Sequence, residues 1–149
     1  MLHRTLGEKR DQYLQRIFRL LALIHPPQDL YNAYLGYVSG DGSDRSSALE
    51  YLENVLIRSD RELVVALLDA PTPEVAVRIG AEHFYRPFED LDQAMAHLLE
   101  GDDPWLRACV TFSLAETGTA AARARLPELA RDADPLVRET ASAVTAQDG

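Results

Sequence analysis

The sequence predicts an all-α fold, an α-solenoid in which about nine helices stack as antiparallel pairs. Three observations predict it. Prolines stand at intervals of 31 residues, at Pro73, Pro104 and Pro135. Four further registers keep the same step. Arg45, Ala76, Arg107 and Arg138 form one, and the apolar set Ala48, Ile79, Val110 and Ala141 forms another. Leu67, Leu98 and Leu129 form the third, and Val64, Met95 and Leu126 the fourth. Lastly, no segment alternates apolar and polar residues with a sustained period of two, so no sheet is expected.

Each element follows from 3.6-residue periodicity and its breakers. A first helix is expected over about 8–24, stopped by His25-Pro26-Pro27, and a second over 29–38, stopped by Ser39-Gly40-Asp41-Gly42. Helices follow near 44–57, 60–69, 73–85, 89–100, 104–117, 120–131 and 135–146. Thr72-Pro73, Asp103-Pro104 and Asp134-Pro135 are helix starts. The Thr or Asp oxygen accepts from an orphan backbone N–H, and proline at the first helical position has no N–H to orphan. Gly101 and Gly118 stand where a left-handed C-terminal residue is wanted. The expected organisation is one domain over 1–149, with repeats at 8–39, 43–70, 72–101 and 103–131 and a half-repeat at 134–147. A helix pair cannot bury its apolar stripe alone, so the pairs are expected to stack.

With 149 residues, 46% of them apolar, the chain is long enough for a sizeable core. No apolar run approaches the ~18 residues of a membrane span, and Lys9, Arg10 and Asp11 fall where a secretory apolar region would lie. Whether Met1 is a native start stays open. Charge is uneven. Residues 1–25 hold five basic and two acidic side chains, a net +3, whereas the rest holds 10 basic and 22 acidic, a net −12. The acidic body disfavours nucleic acid. The basic first helix offers peripheral contact with anionic lipid or an acidic partner, or is an ordinary solvated face. Arginine outnumbers lysine fourteen to one, which reads as a GC-rich bacterial genome.

No catalytic or metal-binding constellation is complete. The single cysteine, Cys109, lies among Ala108, Val110 and Phe112 and reads as a buried small hydrophobe. His3, His25, His83 and His97 contain no i,i+4 pair, and HExxH is absent, so no metal is expected. Glu89, Asp90 and Asp92 open a helix, where acids suit the macrodipole. Asp41-Gly42-Ser43-Asp44 and Asp132-Ala133-Asp134 lack the glycine and final acid of a calcium loop and read as capping turns. With no phosphate-cradling loop and no Gly-x-Ser-x-Gly, no cofactor is expected either. Tyr31, Tyr34 and Tyr37 share one helix face, as core or as a recognition stripe. Phe84, Tyr85 and Phe88 flank Pro87.

At Asp103-Pro104-Trp105-Leu106-Arg107-Ala108 and Asp134-Pro135-Leu136-Val137-Arg138-Glu139 the chain resembles HEAT repeats. The resemblance is clear over 72–147 and weaker over 43–70. It implies an inter-repeat ladder of Asp103 with Arg107 and Asp134 with Arg138, which Ala76 interrupts in the preceding repeat. The first half is similar to HEAT segments that follow the membrane domain of bacterial carriers related to ATP/ADP translocases. It carries that likeness in the run Tyr13 to Leu21, in His25-Pro26-Pro27-Gln28-Asp29-Leu30-Tyr31 and in Ser47 to Leu56. That likeness implies a cytoplasmic appendage tethered to the inner membrane through a parent chain, with the transport chemistry elsewhere.

The function expected is therefore a non-catalytic protein-interaction module. In such stacks the second helix of each pair lines a concave surface, which here draws on Arg61, Glu62, Gln93, His97, Arg123 and Glu128, with Trp105 as an aromatic anchor. Two other readings stay open. HEAT-like phycobilin lyases and DNA glycosylases show that such folds host chemistry, and the unpaired last helix would suit a spacer or a self-associating unit.

Overall fold

The computed structural model describes residues 1–84, 88–117, 119 and 123–147. Among them every regular element is a helix. The helices are α1 (Leu2–Leu21), α2 (Pro27–Val38), α3 (Gly42–Val55), α4 (Arg58–Leu68), α5 (Pro73–His83), α6 (Leu91–Leu99), α7 (Pro104–Thr117), α8 (Leu126–Leu129) and α9 (Pro135–Gln147).

The expected starts are where the capping chemistry puts them. Thr72 Oγ1 accepts from the Val75 N–H at 3.4 Å, Asp103 Oδ1 from Leu106 at 3.0 Å, and Asp134 Oδ1 from Leu136 at 2.9 Å. Asp90 and Asp41 open α6 and α3 in the same way. Helix α1 begins six residues earlier than its pattern suggested. Leu2 and Thr5 extend a packed face towards the N-terminus, and Arg4 pairs with Glu8 at 2.9 Å on the outside. Its end also comes early. Residues 22–24 tighten into a turn, with Leu23 N–H donating to Leu20 at 3.1 Å, because His25 precedes proline and is steered away from helical ψ.

One expectation is modified and another fails on local chemistry. The helix expected over 120–131 is broken at Arg125: Arg123 and Ala124 are helical, with Arg123 N–H donating to Thr119 O at 3.1 Å, Arg125 forms a turn, and Leu126–Leu129 is helical again. Pro127 has no N–H to continue the first segment and sits in the first turn of the second; residues 120–122 lie outside the described set. Gly101 is not left-handed. The end of α6 is closed instead by Glu100 N–H donating to His97 O at 3.2 Å and Gly101 N–H to Leu98 O at 3.4 Å. Gly118 and Tyr85-Arg86-Pro87 also lie outside the described residues. Among the described residues the left-handed one is Gly40, at φ +82° after α2, where a Cβ would be strained.

The chain gathers into two compact units, one of Met1–Arg10 with Phe88–Gly149, the other of Asp11–Pro87. The repeat expected at 72–101 is thereby divided, since α5 falls in the second unit, where it packs on α4, and α6 in the first. In the Asp11–Pro87 unit, α2 and α3 lie side by side. Leu30 and Leu52 are fully buried with Phe18, Leu21, Leu56, Val65 and Leu68 around them. Gly36 permits the close approach, because a Cβ there would sit 3.1 Å from the Asp44 carbonyl oxygen. In the other unit α7 is the central helix. Its Ala108, Val110 and Leu114 pack with Met95 of α6, Leu129 of α8 and Val137 and Ala141 of α9. The 31-residue registers contribute to both cores: Ala48, Val110 and Ala141 are buried, as are Met95, Leu126 and Leu129, whereas Val64, Leu67, Ile79 and Leu98 are half-buried. Burying one large apolar side chain contributes about 1.5–3 kcal/mol, so Met95, Val110, Leu126 and Leu129 stabilise the unit they share.

Candidate functional site

The periodic arginines are structural. Arg45 of α3 donates to the Leu68 carbonyl at 2.7 Å, where Tyr37 Oη also donates at 2.9 Å, and its guanidinium lies 5.0 Å over the Tyr37 ring. Two donors thus satisfy an orphan carbonyl at the end of α4. Arg107 of α7 forms a half-buried ion pair with Asp132, just past α8. Arg138 of α9 donates to the Asp132 and Ala133 carbonyls, both at 2.7 Å.

These contacts correct the expected ladder. Asp103 and Asp134 are occupied as helix caps, and Asp103 pairs with Lys9 of α1. Asp132, not either capping aspartate, receives Arg107. It also accepts from the Asp134 N–H at 2.8 Å, so one carboxylate fastens the turn and the helix beside it. The Lys9 ammonium, then the Leu106 N–H, hold the Asp103 carboxyl below its ordinary range.

Cys109 is fully buried, its Sγ 3.5 Å from Thr5 Oγ1 of α1. The tyrosine row is split by its neighbours. Tyr34 and Tyr37 pack around Phe18 at ring-centroid distances of 5.5 and 6.4 Å, while Tyr31 faces solvent. Helix capping accounts for both acidic turns that resemble calcium loops. Among the described residues no three His, Cys, Asp or Glu side chains cluster as metal ligands.

The residues expected to line a binding surface are all solvent-exposed: Arg61, Glu62, Gln93, His97, Arg123, Glu128 and Trp105. Each unit carries its own share. In Asp11–Pro87, Glu62 pairs along α4 with Arg58 at 2.8 Å, and Arg61 donates to the Glu53 carbonyl at 3.2 Å. In the other unit, Gln93 accepts from the Glu89 N–H at 3.2 Å, and the His97 ring lies 5.2 Å from Phe88.

Of these, Gln93 borders a cavity. A cleft of about 300 Å³ runs beside α6, with Met95, Ala96 and Leu114 as its apolar part and Asp90, Asp92, Gln93 and Arg125 as its polar part. Its residues come from α6, α7 and the turn before α8. A second groove, of about 340 Å³, lies between α2 and α3. Ala33, Gly36 and Ala48 line it together with Asp29, Asn32, Asp44, Ser47 and Tyr51. Burial, then the Asp29 charge, pushes the Tyr51 phenol above its ordinary value. Sequence reasoning did not bring Met95, Leu114 and Arg125 together with Asp90 and Asp92. The only trace was the shared register of Met95 with Leu126. Comparison of the chain with protein-family models, curated proteins and solved structures gave no match.

Proposed function

We propose that the chain is a non-catalytic docking module of HEAT-like helix pairs, which takes a segment of a protein partner into the cleft beside α6. The observation that carries this reading is the cleft itself. It joins an apolar lining of Met95, Ala96 and Leu114 to both signs of charge, Asp90 and Asp92 against Arg125. Such a lining suits an amphipathic helix or a single anchoring side chain. Gln93 and His97, on the solvent side of the same helix, extend the surface. The likeness of the first half to segments behind bacterial carrier domains makes a membrane carrier the first partner to test. Membrane fractionation of the full gene product is the direct check.

The module itself is tested by site-specific photocrosslinking in the native cell. A crosslinker at Gln93 is expected to capture one defined polypeptide, and Ala96→Trp, which fills the cleft, to abolish the adduct. The same crosslinker at Glu139, on the exposed side of α9, serves as control. Equal capture from Glu139, or capture from neither position, would overturn the reading.

A further inference from the structure

We infer that the outer face of α1 and the turn after it form a peripheral docking surface for an anionic lipid bilayer. This surface lies in the Asp11–Pro87 unit and does not depend on the cleft beside α6.

One side of the helix is committed to the core. Leu14, Phe18 and Leu21 pack with α2 and its neighbours. Beside them runs a second apolar stripe that stays exposed. Tyr13, Ile17 and Leu20 recur at spacings of four and three, so they share a helix face. Tyr13 is 62% exposed and Leu20 56%. The stripe continues into the turn, where Leu23 is 79% and Ile24 70% exposed. These are large aliphatic groups left in water, an exposure that contiguous apolar patches share with interaction sites.

The charge around the stripe selects the occupant. Residues 12–28 contain no carboxylate, although the chain has 24. They do contain Arg16 and Arg19, both exposed, on the side of the stripe away from Phe18. An apolar ridge edged by arginine is how a helix lies in a membrane interface, with aliphatic groups among the acyl chains and guanidinium groups at the phosphates. A second copy fits less well, because an antiparallel two-fold contact through this stripe would bring the two Arg16–Arg19 edges to the same side. No described helix is long and apolar enough to cross a membrane, so the contact is superficial.

The test is sedimentation of the full chain with vesicles of phosphatidylcholine alone and of equimolar phosphatidylglycerol and phosphatidylcholine. Binding is expected to the anionic vesicles only and to weaken with salt. Arg16→Ser and Arg19→Ser should each weaken it about fivefold. Leu20→Ser with Leu23→Ser and Ile24→Ser should abolish it. All five positions are exposed, and unchanged far-UV circular dichroism confirms that each variant folds. Sedimentation velocity without lipid completes the experiment. Equal binding to both vesicle types, binding that survives the aliphatic triple substitution, or no binding overturns the proposal. So does a stable dimer that the same triple substitution dissociates, which would assign the stripe to a second copy.

Discussion

Asp103 carries more of the helix junctions than its sequence position suggests. It caps α7 through the Leu106 N–H and pairs with Lys9 of α1, so its carboxylate is held ionised from two sides. Its folded pKa lies below the ordinary aspartate value, with the Lys9 bond as the largest cause and the Leu106 N–H next. The sign follows directly. A carboxylate with a depressed folded pKa contributes stability that is complete above its unfolded pKa and is lost as pH falls through the folded value. Urea unfolding across the acid range should therefore show Asp103→Asn with a shallower loss of stability below pH about 4 than the parent chain. Asparagine still caps a helix, so the substitution isolates the charge. Lys9→Met should move the profile in the same direction. A profile that neither substitution alters would remove Asp103 from the account.

At the scale of the element, two helical glycines behave oppositely for a stated reason. Gly80 lies inside α5, where an added Cβ would meet nothing within 4 Å. Gly80→Ala should stabilise the chain by about 0.5–1 kcal/mol through helix propensity alone. Gly36 lies where α2 presses on α3, and a Cβ there would meet the Asp44 carbonyl at 3.1 Å. That oxygen belongs to backbone in the first turn of α3, and it cannot swing away as a side chain can. Gly36→Val should cost about 1–3 kcal/mol by forcing the helices apart. Thermal or urea unfolding of the two variants decides this, and a shift of the same sign in both would show that propensity rather than packing governs these sites. The short α8 belongs to the same scale. Register placed Leu126 and Leu129 in the core, and Pro127 sits in the first turn of α8, after the break at Arg125.

At the scale of the whole molecule, the two units have separate cores and separate reporters. All six tyrosines fall in Asp11–Pro87, and the single tryptophan, Trp105, falls in the other unit. Leu52→Ala removes a fully buried side chain between α2 and α3. Leu114→Ala removes a side chain that is 2% exposed in the last turn of α7. Each should cost about 2–5 kcal/mol. The first should be read in the tyrosine near-ultraviolet circular dichroism and the second in Trp105 fluorescence. A cost well under 1 kcal/mol at either site would mean that the side chain does not sit in a close-packed core.

What the sequence determined by itself is the all-helical class, the helix starts that carry a capping residue before proline, and the apolar rows. These rest on chemistry within a few residues of each position: a capping oxygen, a proline without an N–H, a period of 3.6. Residues such as Asp134, Pro135 and Val137 announce their roles without knowing their neighbours. Tertiary structure alone decided the rest. It matched Arg107 to Asp132 rather than to an aspartate that was already a cap, and split the tyrosine row into core and surface. It also divided the repeat at 72–101 and brought Met95, Leu114 and Arg125 to one cleft. Each of these is a pairing between segments distant in the chain, and a side chain's partner is fixed by which groups remain unsatisfied when the helices close on one another. Gln93 was legible as a surface residue because helical period gives exposure. The cleft beside it was not, because its lining comes from three segments and no periodicity within any one of them encodes the other two.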